Sequence, residues 1–242
     1  QASSKISHRA WFSHEEYTTL YKTTGELAKT QRNKNRRFLY EQLHDMVLFL
    51  GNTGLRPDEA LRLEFRDVEI VEDDATRKTI LVIKVRGKRG VGYCKSMPGA
   101  VEPYRRLQDR LRPTRGMELP EVKTFGKANA TTSPVLTTPR PNDRIFQGQL
   151  SSLFRGVLEK LDMRSDREGS PRSLYSLRHT YISFRLSEGA DIYQVAKNCR
   201  TSVDMIEKYY ASHIKTSLDA AAINIRKKKA SKKPSKEPRR DT

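Results

Sequence analysis

Gly51-Asn52-Thr53-Gly54-Leu55-Arg56-Pro57-Asp58-Glu59-Ala60-Leu61 decides how this chain is read, together with Tyr175-Ser176-Leu177-Arg178-His179-Thr180 and Glu207-Lys208-Tyr209-Tyr210. The first two blocks each hold an arginine, and the third holds a tyrosine pair. Guanidinium groups present forked donors that match phosphate oxygens, so two of them can clamp one phosphate. A phenol can attack that phosphate as a nucleophile. Each block alone is a weak signal, and their order along the chain gives them weight.

The local chemistry fits this reading. Arg56 precedes Pro57, which biases it toward an extended conformation where a helix begins. A helix start offers free N–H groups and a positive dipole end, and an arginine there completes a phosphate pocket. Glu59, one turn on, can orient the guanidinium. The same two residues also fit an ordinary surface pair worth under ~1 kcal/mol. Tyr175 and Arg178 share a helical face. Tyr209 and Tyr210 point about 100° apart on a helix, so only one can face a given phosphate. Periodicity does not choose between them, because Val203, Ile206 and Tyr210 form one face and Met205 and Tyr209 another.

The 242 residues carry a formal net charge of +18, and the pI is near 10.0. Such an excess points to a polyanionic partner, most simply nucleic acid. The length suits one large domain or two small ones. No apolar run approaches the ~20 residues of a membrane span, and no signal peptide is visible. The chain begins at Gln1, as expected of a fragment or processed polypeptide. Cys94 and Cys199 have neither disulfide-framework nor zinc-site spacing, which predicts packed thiols in a reducing, cytoplasmic setting. His8, His14, His44, His179 and His213 are scattered, and no metal site is expected.

Ser13-His14-Glu15-Glu16 reads as a capping box opening a helix over 14–30. A second helix is predicted over 33–50, stopped by turn residues Gly51 to Gly54, and a short one from Pro57 to Leu63. β-branched runs predict strands at 68–71 and 78–85, with a turn at 86–90 and a third strand near 93–97. Further helices are expected over 100–111, 149–161, 173–187, 192–197, 203–212 and 216–226. Prolines and threonines over 112–143 predict a long irregular insertion. Residues 226–242 hold nine Lys or Arg against Glu237 and Asp241, and a disordered basic tail is expected there. Removing its net +7 still leaves +11 on the rest.

In this order the blocks resemble the catalytic domain of the tyrosine recombinases, the phage integrase family, from about Trp11 to Ile214. Thr53-Gly54-Leu55-Arg56 with Glu59 one turn on matches the family's first arginine block. The resemblance implies that Arg56 and Arg178 clamp the scissile phosphate. It also implies that Lys88, in the turn between the second and third strands, protonates the leaving 5′-oxygen. Lysine suits that role because its pKa drops readily beside other cations. With Lys84, Arg86, Arg89 and Lys95 nearby, Lys88 equally fits an exposed turn residue.

Three departures from the family pattern stand out. Tyr175 occupies the place of the family's histidine in His-x-x-Arg. A phenol can hydrogen-bond a phosphate but is no proton acceptor near pH 7. His179 is the candidate to compensate, or else a packed histidine. The family's Gly-His or Gly-Trp pair before the nucleophile is replaced by Asn198-Cys199-Arg200-Thr201-Ser202. Arg200 or Thr201 can supply a hydrogen bond there, and Thr201 or Ser202 equally reads as a helix cap. Aligning Thr201 to Lys208 with the family block places the nucleophile at Tyr210, whereas counting from Arg200 favours Tyr209.

The expected fold is therefore a mostly helical α+β catalytic domain, residues 1–225, with a small three-stranded antiparallel sheet. Members of the family usually carry a separate N-terminal DNA-binding domain before this region, and the resemblance implies that this sequence is the catalytic portion of a longer integrase, without that domain. The resemblance implies site-specific recombination of double-stranded DNA through a 3′-phosphotyrosine and a Holliday junction, in a homotetramer on two DNA sites. Such chemistry conserves bond energy and calls for no metal or ATP cofactor. A type IB topoisomerase, a telomere resolvase, or a DNA-binding protein that has lost catalysis are the rival readings.

Overall fold

The computed structural model describes residues 10–87, 90–113 and 136–210. It begins with two long helices, α1 (His14–Thr30) and α2 (Lys34–Thr53), packed against each other. The predicted capping box is present: Ser13 N donates to Glu16 Oε2 at 2.8 Å, and Glu16 N donates to Ser13 Oγ at 3.2 Å. Asn33 caps α2 by accepting from Arg36 N.

α2 does not stop at Leu50 but runs on through Gly51, Asn52 and Thr53. Thr53 Oγ1 and Asn52 Nδ2 donate back to carbonyls one turn earlier, which keeps these turn formers helical. Gly51 serves close packing: a Cβ there would lie 2.1 Å from the Tyr17 hydroxyl on α1. The break comes at Gly54, whose φ of 66° is the left-handed region that favours glycine.

A short helix α3 (Pro57–Ala60) follows, shorter than the predicted run to Leu63. Strands β1 (Val68–Glu72), β2 (Thr79–Gly87) and β3 (Gly90–Lys95) then form an antiparallel sheet in the order β1-β2-β3. Its register pairs Val68 with Ile83, Val82 with Lys95 and Gly87 with Gly90. Period-2 alternation buries Leu81, Ile83, Val85 and Cys94 and leaves Lys84, Arg86, Val91, Tyr93 and Lys95 exposed. The third strand starts earlier than its aromatic residue suggested, because pairing begins directly at the turn.

Helix α4 (Val101–Asp109) closes the sheet's inner face. Within the segment predicted as an irregular insertion, β4 (Arg112–Pro113) pairs with β5 (Leu136–Thr137). The loop after β5 is fastened to residues 63–66 by Arg66 N to Pro141 O, Phe65 N to Asp143 O and Ile145 N to Leu63 O. Helices α5 (Leu150–Lys160), α6 (Leu174–Ser187), α7 (Ile192–Cys199) and α8 (Val203–Tyr210) complete the described fold. The basic tail and the predicted helix over 216–226 lie outside the described residues.

Two apolar clusters organise these elements. The larger joins α1, α2, β2, α4 and α5 through residues such as Leu43, Phe49, Leu81, Tyr104 and Phe154. The smaller gathers Tyr181, Leu186, Val195, Cys199, Ile206 and Tyr210. Helix α6 serves both, with Leu174 and Leu177 in the first and Tyr181, Ile182 and Leu186 in the second. Arg178 and His179 therefore sit on the seam. Among the described residues no helix is long and apolar enough to cross a membrane.

Candidate active site

The two arginine blocks meet where α2 ends. Arg178 is buried, and its guanidinium donates from Nη1 to Gly54 O at 2.6 Å and from Nη2 to Cys199 O at 2.7 Å. It thereby fixes the turn before Arg56 to the last residue of α7. Gly54 is needed there twice over. Its φ is positive, and a Cβ would lie 2.3 Å from Tyr181 Cδ1 and 2.9 Å from Cys199 Sγ.

Arg56 stands at the N-cap of α3 in the extended conformation that Pro57 imposes, φ −69° and ψ 141°. Its backbone N and its Nη1 both donate to the Glu59 carboxylate, at 3.2 and 3.0 Å, and Nη2 donates to Arg200 O at 3.1 Å. Glu59 is only 4% exposed, so this is no surface pair. Burial pulls the Arg56 guanidinium down, but Glu59 and the Tyr175 hydroxyl outweigh it and the net shift is upward. Arg56 thus remains a cation under all working conditions, with Tyr175 against it.

Arg200 turns out to be a second partner of the same carboxylate, with Nη1 3.3 Å from Glu59 Oε1. Its Nη2 donates to Gly90 O at 3.0 Å, at the β2–β3 turn. The residue holds a left-handed backbone, φ 54° and ψ 48°, that ends α7. Its side chain is directed at the hairpin. Lys88, in that turn, lies outside the described residues. Thr201 uses its backbone N to close α7 on Ala196 O, and the cap of α8 is Ser202, whose Oγ accepts from Met205 N.

The tyrosine pair divides as a helix requires. Tyr210 is buried beside Ile206, and its hydroxyl is hydrogen-bonded to His179 Nδ1. Tyr209 is half-buried on the small cluster, with Lys208 Nζ 5.5 Å above its ring. His179 also lies against the Tyr175 ring, centroids 5.1 Å apart. A run Tyr175–His179–Tyr210 therefore leads away from Arg56. The sequence marked His179 only as a substitute, because its contact with Tyr210 spans two separate helices.

Cys94 and Cys199 are free thiols packed beneath this region. Burial pushes the Cys199 thiol up to about 11 and Cys94 higher still. Cys94 Sγ donates to Thr53 O at 3.3 Å. Both are structural, as expected from their spacing.

No family model matches the sequence, and no curated protein matches it. Solved structures do. XerA recombinase superposes with a TM-score of 0.53 at 17% identity, covering 90% of this chain and 63% of its own. XerH site-specific recombinase, bound to difH substrate in a pre-cleavage complex, gives 0.52 at 15%, covering 84% and 50%. The catalytic domain of bacteriophage HP1 integrase gives 0.53 at 16%, covering 89% and 95%. The chain thus spans about half of XerH, less than two thirds of XerA and nearly all of the HP1 catalytic domain. Helix order, the three-stranded antiparallel sheet and these superpositions agree, and the chain has the fold of a tyrosine recombinase catalytic domain.

Proposed function

We propose that this chain cleaves and rejoins DNA at a specific site by transesterification through Tyr210. The observation that carries the reading is the hydrogen bond between Tyr210 and His179, which follows Arg178 and whose ring lies at a tilt against Tyr175, the residue whose hydroxyl meets Arg56. His179 Nδ1 accepts from the phenol when its other nitrogen bears the proton. It is placed to take that proton as the phenolic oxygen attacks phosphorus.

The bond from phosphorus to the 5′-oxygen then breaks, leaving a 3′-phosphotyrosine. The family resemblance gives the leaving oxygen its proton from Lys88. Arg56 and Arg178 neutralise the non-bridging oxygens, as preorganised charge does in other transition states. Tyr175 hydrogen-bonds a phosphate oxygen beside Arg56, and His179 does the acid–base work that the replaced histidine would have done. Arg200 holds the hairpin and the first arginine in place. Religation to a partner duplex, through a Holliday junction in a tetramer on two sites, completes recombination. XerH is seen in pre-cleavage and post-cleavage complexes with difH DNA, which supports DNA as the substrate class.

A nicked suicide substrate tests the proposal. Tyr210→Phe should abolish the covalent adduct with DNA affinity nearly unchanged, while Tyr209→Phe retains it, because only the attacking oxygen is lost. Mass spectrometry placing the nucleotide on Tyr209 would move the nucleophile by one residue, and no adduct in the wild type would leave a DNA-binding protein. Junction formation between two duplexes separates a recombinase from a type IB topoisomerase.

A further inference from the structure

Among the described residues three arginines are almost fully buried: Arg112, Arg172 and Arg178. Arg172 is neutralised by Glu16, whose two oxygens lie 2.9 and 2.8 Å from Nη2. Arg178 has backbone carbonyls, and its counter-charge in the proposed reaction is the scissile phosphate. Arg112 repeats the circumstances of Arg178 at a different place. Its Nη1 donates to Arg144 O at 2.6 Å and its Nη2 to Leu107 O at 3.4 Å. Its guanidinium carbon lies 4.5 Å above the Phe65 ring. No carboxylate within the described residues forms an ion pair with it, and its buried Nε has no hydrogen-bond partner.

A buried cation without a counterion is expensive, and such groups are normally paired. Burial accordingly pulls the Arg112 guanidinium down to about 10, with only a partial counter-effect from Asp143. Arg112 lines a cavity of about 730 Å³ together with Arg140, Asn142, Asp143, Arg144 and Gln147. Three cations there face one carboxylate, and Asp143 Oδ2 already accepts from Arg140 N at 2.8 Å. The volume falls within the range of small-ligand sites. Gln147 N donates to Gln42 on α2, twelve residues before Gly54, so the cavity is roughly 18 Å along that helix from the arginine pair.

We propose that this cavity is a second phosphate-binding site, separate from the Arg56–Arg178 pair. Its ligand is a phosphate oxyanion, free or carried on a nucleic-acid backbone. Arg112 supplies the fixed buried charge, with its unpartnered Nε enclosed behind it. Arg140 and Arg144, both exposed, supply the mobile part of the clamp.

The test measures binding of inorganic phosphate to the full chain, against chloride at matched ionic strength, by calorimetry and thermal unfolding. Arg140→Gln/Arg144→Gln should weaken phosphate at least about tenfold, the scale for losing a charged hydrogen bond. Arg56→Ala should retain this site, and Asp143→Asn should tighten it by removing the opposing charge. Measured in the Arg56→Ala background, Arg112→Met, which keeps an apolar stem against Phe65, should remove the remaining dependence of stability on phosphate; where it does not fold, the surface double variant decides. An unchanged phosphate response in that double variant overturns the proposal, as does a response abolished by Arg56→Ala alone. Random-sequence duplex distinguishes the source. A backbone ligand predicts that the double variant's log K against log salt slope falls by up to about 1.8, for two lost contacts. An unchanged slope with phosphate binding lost assigns the site to a free phosphate.

Discussion

Arg172 and Arg178 flank the start of the same helix and are equally buried, yet the protein treats their charges in opposite ways. Arg172 meets both oxygens of Glu16, donates from Nε to Trp11 O and lies 4.7 Å over the Phe12 ring. Asp45 on α2 is treated similarly, fully buried and met by Arg106 at 2.5 Å and Arg110 at 2.7 Å. These charges are closed on themselves and fasten elements together. Among the described residues, Arg178 receives only carbonyl dipoles, from Gly54 and Cys199. Arg172 and Asp45 are closed by opposite charges, whereas the counter-charge of Arg178 in the proposed reaction is the scissile phosphate; Arg56, the other arginine of that proposal, keeps the Glu59 carboxylate beside it.

The largest effect that would break this contrast is on the open side. Arg178→Ala should slow single-turnover cleavage of saturating suicide substrate by roughly 10²–10³-fold, the scale of one preorganised donor. Cleavage within a few fold of wild type would show that the carbonyl contacts are its whole purpose. On the closed side, Arg172→Met should lower unfolding free energy by about 3 kcal/mol in urea, as for a broken buried pair. Cleavage at a temperature where the variant is folded should stay near wild type, and a selective loss there would erase the distinction.

A smaller effect sharpens the comparison at the carbonyl that Arg178 grips. Gly54→Ala should cost about 2 kcal/mol, because the left-handed backbone and the displaced Tyr181 ring add. An alanine tolerated without loss would mean that the turn has a second conformation. Smallest of all is the thiol chemistry beneath the site. With their pKa values raised by burial, Cys94 and Cys199 carry little thiolate at pH 8 and should resist alkylation until urea unfolds the chain. Rapid native labelling of either would show that the seam between the two apolar clusters opens.

Local signals explain most of what the sequence revealed. Ser13 with Glu16, Asn33 before α2, Pro57 after Arg56 and the β-branched alternation of β2 are short-range patterns whose physics is complete within a few residues. Glu59 was legible for the same reason, since it lies one turn from Arg56. The extension of α2 through Thr53 was not, because Gly51 is selected by the Tyr17 ring of another helix. Nor was the short pairing of β4 with β5, or the bonding of the loop after β5 to residues 63–66, both of which join segments far apart in sequence. Arg200 was seen as a stand-in for a missing aromatic. Its partners Glu59 and Gly90 are more than a hundred residues away, beyond any local reading.

The left-handed residue that ends α7 has a mechanical consequence. Arg200 is pinned by its carbonyl to Arg56 and by its side chain to the hairpin, so it behaves as a fixed bearing. Helix α8 starts three residues later and carries Tyr210 on its last turn, at the end of an arm roughly 12 Å long. A swing of only about 15° about that bearing displaces the far end of the arm by about 3 Å, a full hydrogen-bond length. In the proposed reaction, a slight pivot of this kind would carry the phenol from His179 to a neighbouring phosphate while Arg56 and Arg178 stay in place.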